Sequence, residues 1–153
     1  MISIQDFCDQ HRACKSGREW AIANCTDMAD VWHKLKPRWL IWVATRPGVL
    51  GDCELRSYIV FCVQQVEHLA IDRCNVRAIE TAEKFAEGEL ASGGSAAAYA
   101  ADAAGAAAYI AFFTGKNANS EADGVAAERA IVAAQAEWLR ANTQPNFGVE
   151  VAE

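Results

Sequence analysis

Proline is nearly missing from this chain, with three residues in 153, at positions 37, 47 and 145. So few ring constraints leave long stretches free to be helical. The phosphate-cradling glycine patterns are missing as well: neither GxGxxG nor the Walker pattern occurs. The nucleophile elbow GxSxG is also absent. Gly93-Gly94-Ser95 comes nearest, but Ala96-Ala97 follows it and no strand precedes it. The sequence is therefore expected to belong to a protein that is not an enzyme and holds no cofactor.

Other shortages exclude further classes. The opening MISIQDFCDQHRACK has no basic stretch followed by an apolar run and a small-residue cleavage site, so a secretory signal is not expected. Six cysteines, at 8, 14, 25, 53, 62 and 74, are too few for a disulfide scaffold at this length. Reduced thiols in a cytoplasmic protein are the expectation, several of them packing as small hydrophobes. Cys8-x2-His11-x2-Cys14 has metal-like spacing but offers three ligands fanned around a helix, and a fourth would have to come from Cys25. His68 and Asp72, four apart, could form half of a metal site but read as a local surface pair or as a helix C-terminal histidine favoured by the dipole. No metal site is expected.

What is present is alanine and helix-period patterning. Alanine fills 31 positions, hydrophobic residues make up 52% and charged residues 22%, which excludes a disordered or collagen-like chain. The length suits one domain, expected over residues 1–144, with 145–153 as a loose tail. Net charge is −6 and lies in the second half: residues 1–74 carry 9 acidic and 9 basic side chains, residues 75–153 carry 11 and 5.

Capping residues and apolar spacing predict about eight helices and no strand, an all-α domain. The first covers Ser3 to His11. The second spans Gly17 to Asn24, capped by Ser16, and the third Asp27 to Leu35, capped by Thr26. Pro37 opens a fourth that ends by Thr45. Leu55, Ile59, Cys62, Val66 and Leu69 define one face of a helix over Asp52–Ile71. Asn75 caps a helix from Val76 to Glu87, which Gly88 terminates. An alanine-rich helix runs from Ala96 to Thr114-Gly115, followed by a polar loop over 116–120. Ser120 and Asp123 cap the last helix, which reaches Ala141.

The alanine-rich helix is expected to be central. Its side chains are too small to hold it in place as knobs, so the compensation is closeness, through the ridge Ala97, Ala101, Gly105 and Ala108. The same ridge makes it a candidate homodimer seam. A second face carries Tyr99, Asp102, Tyr109 and Phe113. The stretch 96–113 also approaches the length of a bilayer span. Alanine gains little from lipid, however, and Asp102 near its middle would cost about 2.5–3.5 kcal/mol there. It reads as a soluble helix.

Two charged clusters bear on partners. Lys34, Lys36 and Arg38 lie among Trp32, Trp39 and Trp42, but their half of the chain is neutral and the protein is acidic, so phosphate contacts lose most of their drive. Nucleic acid is not an expected partner. Glu80, Glu83 and Glu87 share one face of the 76–87 helix and form the candidate partner-binding residues, able to meet a basic protein surface.

The segments PRWLIWV (37–43), ELRSYIVFCVQQVEHL (54–69), RAIETAEKFAEGEL (77–90) and AAAYAADAAGAAAYIA together resemble one helical family. This is the immunity-protein family of bacterial toxin systems, also carried in phage genomes. The resemblance spans roughly residues 18–140, and 77–90 is its most specific part. The alanine tract here is shorter than the family's, and the loop at 115–120 is a departure. The resemblance implies a non-catalytic inhibitor that neutralises a toxin, or a bacterial defence component of the anti-CRISPR kind if phage-borne. A self-associating structural module is the alternative.

Overall fold

A computed structural model of the chain describes residues 2–69, 80, 84, 88 and 96–148. These are helical with no strand among them, as the pattern of caps and stripes implied. The helices are α1 (Ile4–Gln10), α2 (Lys15–Asn24), α3 (Met28–Lys34), α4 (Pro37–Ala44), α5 (Asp52–Val66), α6 (Ala96–Ala118) and α7 (Glu121–Asn142). A 3-10 turn, Glu67–Leu69, continues α5. In the expected 76–87 helix, Glu80 and Lys84 are helical and Gly88 takes φ of +82°, which suits a helix terminator. The rest of that helix and its cap Asn75 lie outside the described residues.

Local chemistry sets most of the boundaries. Ser3 accepts from the Asp6 backbone N–H at 3.1 Å and Ser120 from that of Asp123 at 3.3 Å. Pro37 occupies the first turn of α4. Two caps differ from expectation. The cap of α3 is Asp27, whose carboxylate accepts from the Asp30 N–H at 2.8 Å, while Thr26 donates its own N–H to Asp30. A charged acceptor suits the positive helix terminus better than a hydroxyl. The cap of α2 is Cys14, not Ser16. The close of α1 decides this: Arg12 N–H bonds Asp9 O and Ala13 N–H bonds Cys8 O, a Schellman closure that leaves Cys14 as the last extended residue.

One hydrophobic cluster runs from Phe7 to Phe147. Helix α6 packs against both α5 and α7, and α4 also packs on α7. The α5 stripe holds at Leu55, Ile59, Cys62 and Val66, all buried, whereas Leu69 falls in the 3-10 turn and is half-buried. Buried positions on α6 include Ala100, Ala104, Ala107 and Ala111, so its uncharged side faces inward. By length and composition alone α6 could cross a membrane, and eight of its residues are buried within the protein.

Two expectations about α6 and the C-terminus are corrected. Helix α6 continues one turn past Gly115, to Ala118, because Gly115 serves contact and not termination. A Cβ on Gly115 would lie 2.9 Å from Asp123 O, and one on Gly124 would lie 2.7 Å from Phe112 O. These two glycines are what lets α6 and α7 approach. On the ridge proposed for closeness, by contrast, a Cβ on Gly105 meets nothing within 4 Å.

The tail is docked over residues 145–148. Phe147 is buried edge-on to both Phe7 and Trp32, its carbonyl accepts from Ile2 N–H, and Asn146 N–H bonds Val49 O. An aromatic ring on a short segment is reason enough for it to fold back onto apolar partners. Glu54 holds both ends of this region, accepting from Gly51 N–H and from Gln144 N–H. Arg140 reaches from α7 to the carbonyls of Leu35 and Trp32 at the end of α3.

Candidate functional site: the outward face of the alanine-rich helix

Alanine fixes the helix, and helical spacing then decides which side chains it presents. Asp102, Gly105, Tyr109 and Phe113 are separated by 3, 4 and 4 residues and are all exposed. Tyr109 is 58% exposed and Phe113 38%, two of the four large apolar side chains that stand out from the surface among the described residues. Their rings are 4.4 Å apart, centroid to centroid. Phe112 meets Phe113 edge-on at 5.2 Å and carries the Lys116 ammonium at 5.8 Å. Because α5 and α7 grip the other sides of the helix, the aromatic pair is presented on a rigid element. The pair was visible in the sequence as part of one face, but nothing there separated it from half-buried Tyr99.

Of the acidic trio, Glu80 is exposed on a helical residue. Glu83 and Glu87 lie outside the described residues. Beside the tryptophans, two of the three cations already have acidic partners: Lys34 pairs with Asp30 at 2.7 Å and Arg38 with Glu128. Lys36 lies over the Trp39 ring at 5.5 Å, and Trp32 is buried. The apolar bodies of Trp39 and Trp42 pack against the core.

The Cys-His spacing near the N-terminus resolves into separate environments. Among the described residues no group of three or more His, Cys, Asp or Glu could hold a metal ion. Cys8 is buried, which raises its thiol pKa. His11 leans on Phe7 at 4.5 Å, and burial, aided by the Arg46 charge, lowers its pKa. Cys14 is exposed at the N-terminus of α2, where the Ser16 hydroxyl and then the Gly17 N–H hold its pKa below the ordinary thiol value. The cavity that Cys8 and Cys14 line does not include His11. Deeper in the core, burial raises Cys62 to about 12 and pushes up Tyr58, whose hydroxyl meets the Cys62 thiol.

The alanine ridge has a different outcome from the one expected. Ala101, Gly105 and Ala108 border a cavity of about 210 Å³ shared with Arg46 of the loop after α4 and Gln135 of α7. Gln135 is fully buried and donates to Ala104 O at 3.4 Å, while its Oε1 has no partner.

No family model, no curated protein and no solved structure matches this chain.

Proposed function

We infer that the chain is a non-catalytic inhibitor that acts by binding another protein, in the manner of an immunity protein neutralising a toxin or a bacterial defence component. The observation that carries this reading is the Tyr109–Phe113 pair, apolar, aromatic and exposed on a helix held from behind. Aromatic side chains on rigid elements are the residues that most often dominate protein–protein binding energy. The resemblance of residues 37–43, 54–69 and 77–90 to immunity proteins supports the same reading. Acidic charge concentrated in residues 75–153 supplies the complement for a basic partner.

The test is affinity capture from the cell that encodes the chain, run in parallel with wild type and a Tyr109→Ala/Phe113→Ala variant. One protein retained in stoichiometric amount by wild type and lost with the variant is the expected result. Equal recovery by both removes this face from the account. The alternative, a self-associating module seamed along α6, rests on exposed Gly105 with its open surroundings. Light scattering at two concentrations separates the two: a concentration-independent monomer eliminates the module, and a dimer that covers Tyr109 eliminates the inhibitor reading.

A further inference from the structure

Helices α1 to α4 line an open-mouthed cavity of about 450 Å³, on a part of the molecule separate from the α6 face. Its wall is apolar, built from Phe7, Met28, Val31, Leu35, Trp39 and Trp42. That volume falls within the range of about 300–1,000 Å³ typical of small-molecule sites. Water finds few hydrogen-bond partners on such a wall.

Two charged side chains line the cavity, Arg12 and Arg38, and no carboxylate does. Arg38 is already answered by Glu128. Arg12 makes no ion pair or side-chain hydrogen bond with any described residue. Its backbone is unusual as well. At φ of +54° it is the left-handed residue of the Schellman closure, the position where glycine is favoured. An arginine there strains the backbone, and among the described residues no ion pair or side-chain hydrogen bond of its exposed guanidinium offsets that. Strain of this kind, found at the wall of a cavity, points to a role in binding.

We propose that this cavity binds a small apolar anion, a carboxylate with an aliphatic or aromatic body, with the body among Trp39, Trp42 and Phe7 and the carboxylate on Arg12. The fork of a guanidinium suits a carboxylate's two oxygens. Cys14 lies on the same wall, so its thiol reports occupancy. The site is independent of protein docking through α6, and either can fail alone.

The test uses the full chain with three probes of equal length: decanoate, 1-decanol and decyltrimethylammonium. Calorimetry and tryptophan fluorescence are expected to show saturable one-to-one binding of decanoate, about tenfold or more tighter than decanol, the effect of one charge-assisted contact. The cationic probe binds weakest, and decanoate slows alkylation of Cys14. Arg12→Gly keeps the fold, raises Tm by roughly 2–4 °C as the strain is released, and reduces decanoate affinity to that of decanol. Equal affinities for the three probes overturn the proposal, as does unsaturable decanoate binding. Decanoate binding unchanged by Arg12→Gly overturns it too, and so does a fall in Tm, which would give Arg12 a structural role. A ligand-free dimer that masks Cys14 would assign the cavity to a second copy instead.

Discussion

Tyr109 and Phe113 lie one helical turn apart with their rings 4.4 Å from centroid to centroid, both exposed on a helix that packs against α5 and α7. Removing both rings therefore separates binding from folding. Tyr109→Ala/Phe113→Ala is expected to weaken partner capture by about 2–4 kcal/mol, the scale of an interface hot spot. Stability should move by no more than about 0.5 kcal/mol per site, as for other exposed positions. Equilibrium binding and urea unfolding of the same preparation check the two halves.

Charge reversal of the acidic trio acts on a different step. Glu80→Lys/Glu83→Lys/Glu87→Lys is expected to slow association severalfold, most visibly at low salt, and to leave dissociation nearly unchanged. Stopped-flow association at two ionic strengths measures this. Wild-type and variant rates that coincide at low salt would exclude these residues from the encounter surface.

Three glycines on or beside α6 answer opposite demands. Gly115→Ala and Gly124→Ala each force a methyl into backbone or side-chain atoms of the opposing helix, and each is expected to destabilise by about 1–3 kcal/mol. Gly105 is mid-helix, exposed and open, so Gly105→Ala is expected to stabilise by about 0.5–1 kcal/mol. Denaturant midpoints rank the three. Destabilisation by Gly105→Ala would show that something covers that face in solution.

His11 gives stability a pH dependence of known sign. Its pKa is lower in the folded protein than the ordinary value near 6.5, chiefly by burial and further by Arg46. The unfolded chain binds the proton more readily, so this contribution is fully present above about pH 6.5. It is lost as pH falls from there through the folded pKa. Tm measured between pH 7.5 and 5 is expected to decline less steeply in His11→Gln than in wild type. Parallel curves would remove His11 as a cause.

Much of this architecture was readable in advance because it rests on local rules. Ser3, Pro37 and Ser120 mark helix starts by their own chemistry, and Leu55, Ile59, Cys62 and Val66 mark a buried stripe by spacing alone. Features that depend on distant chain were not readable. Gly115 reads as a stop unless Gly124 is known to oppose it. The docking of Phe147 requires Phe7 and Trp32, which arrive from the far end of the sequence. Arg12 enters the left-handed region only because α1 closes without a glycine. For the functional face, sequence grouped Tyr109 with Tyr99, and packing by neighbouring helices set their different exposures.

Titration of the captured partner's activity with the purified chain tests the account most directly. A neutralising binder is expected to abolish activity linearly, with a break at one equivalent, independent of incubation time. The Tyr109→Ala/Phe113→Ala variant should require a large excess for the same effect. Loss of partner activity at substoichiometric chain, growing with time, would contradict the account by showing catalytic turnover, and full activity at excess chain would contradict inhibition itself.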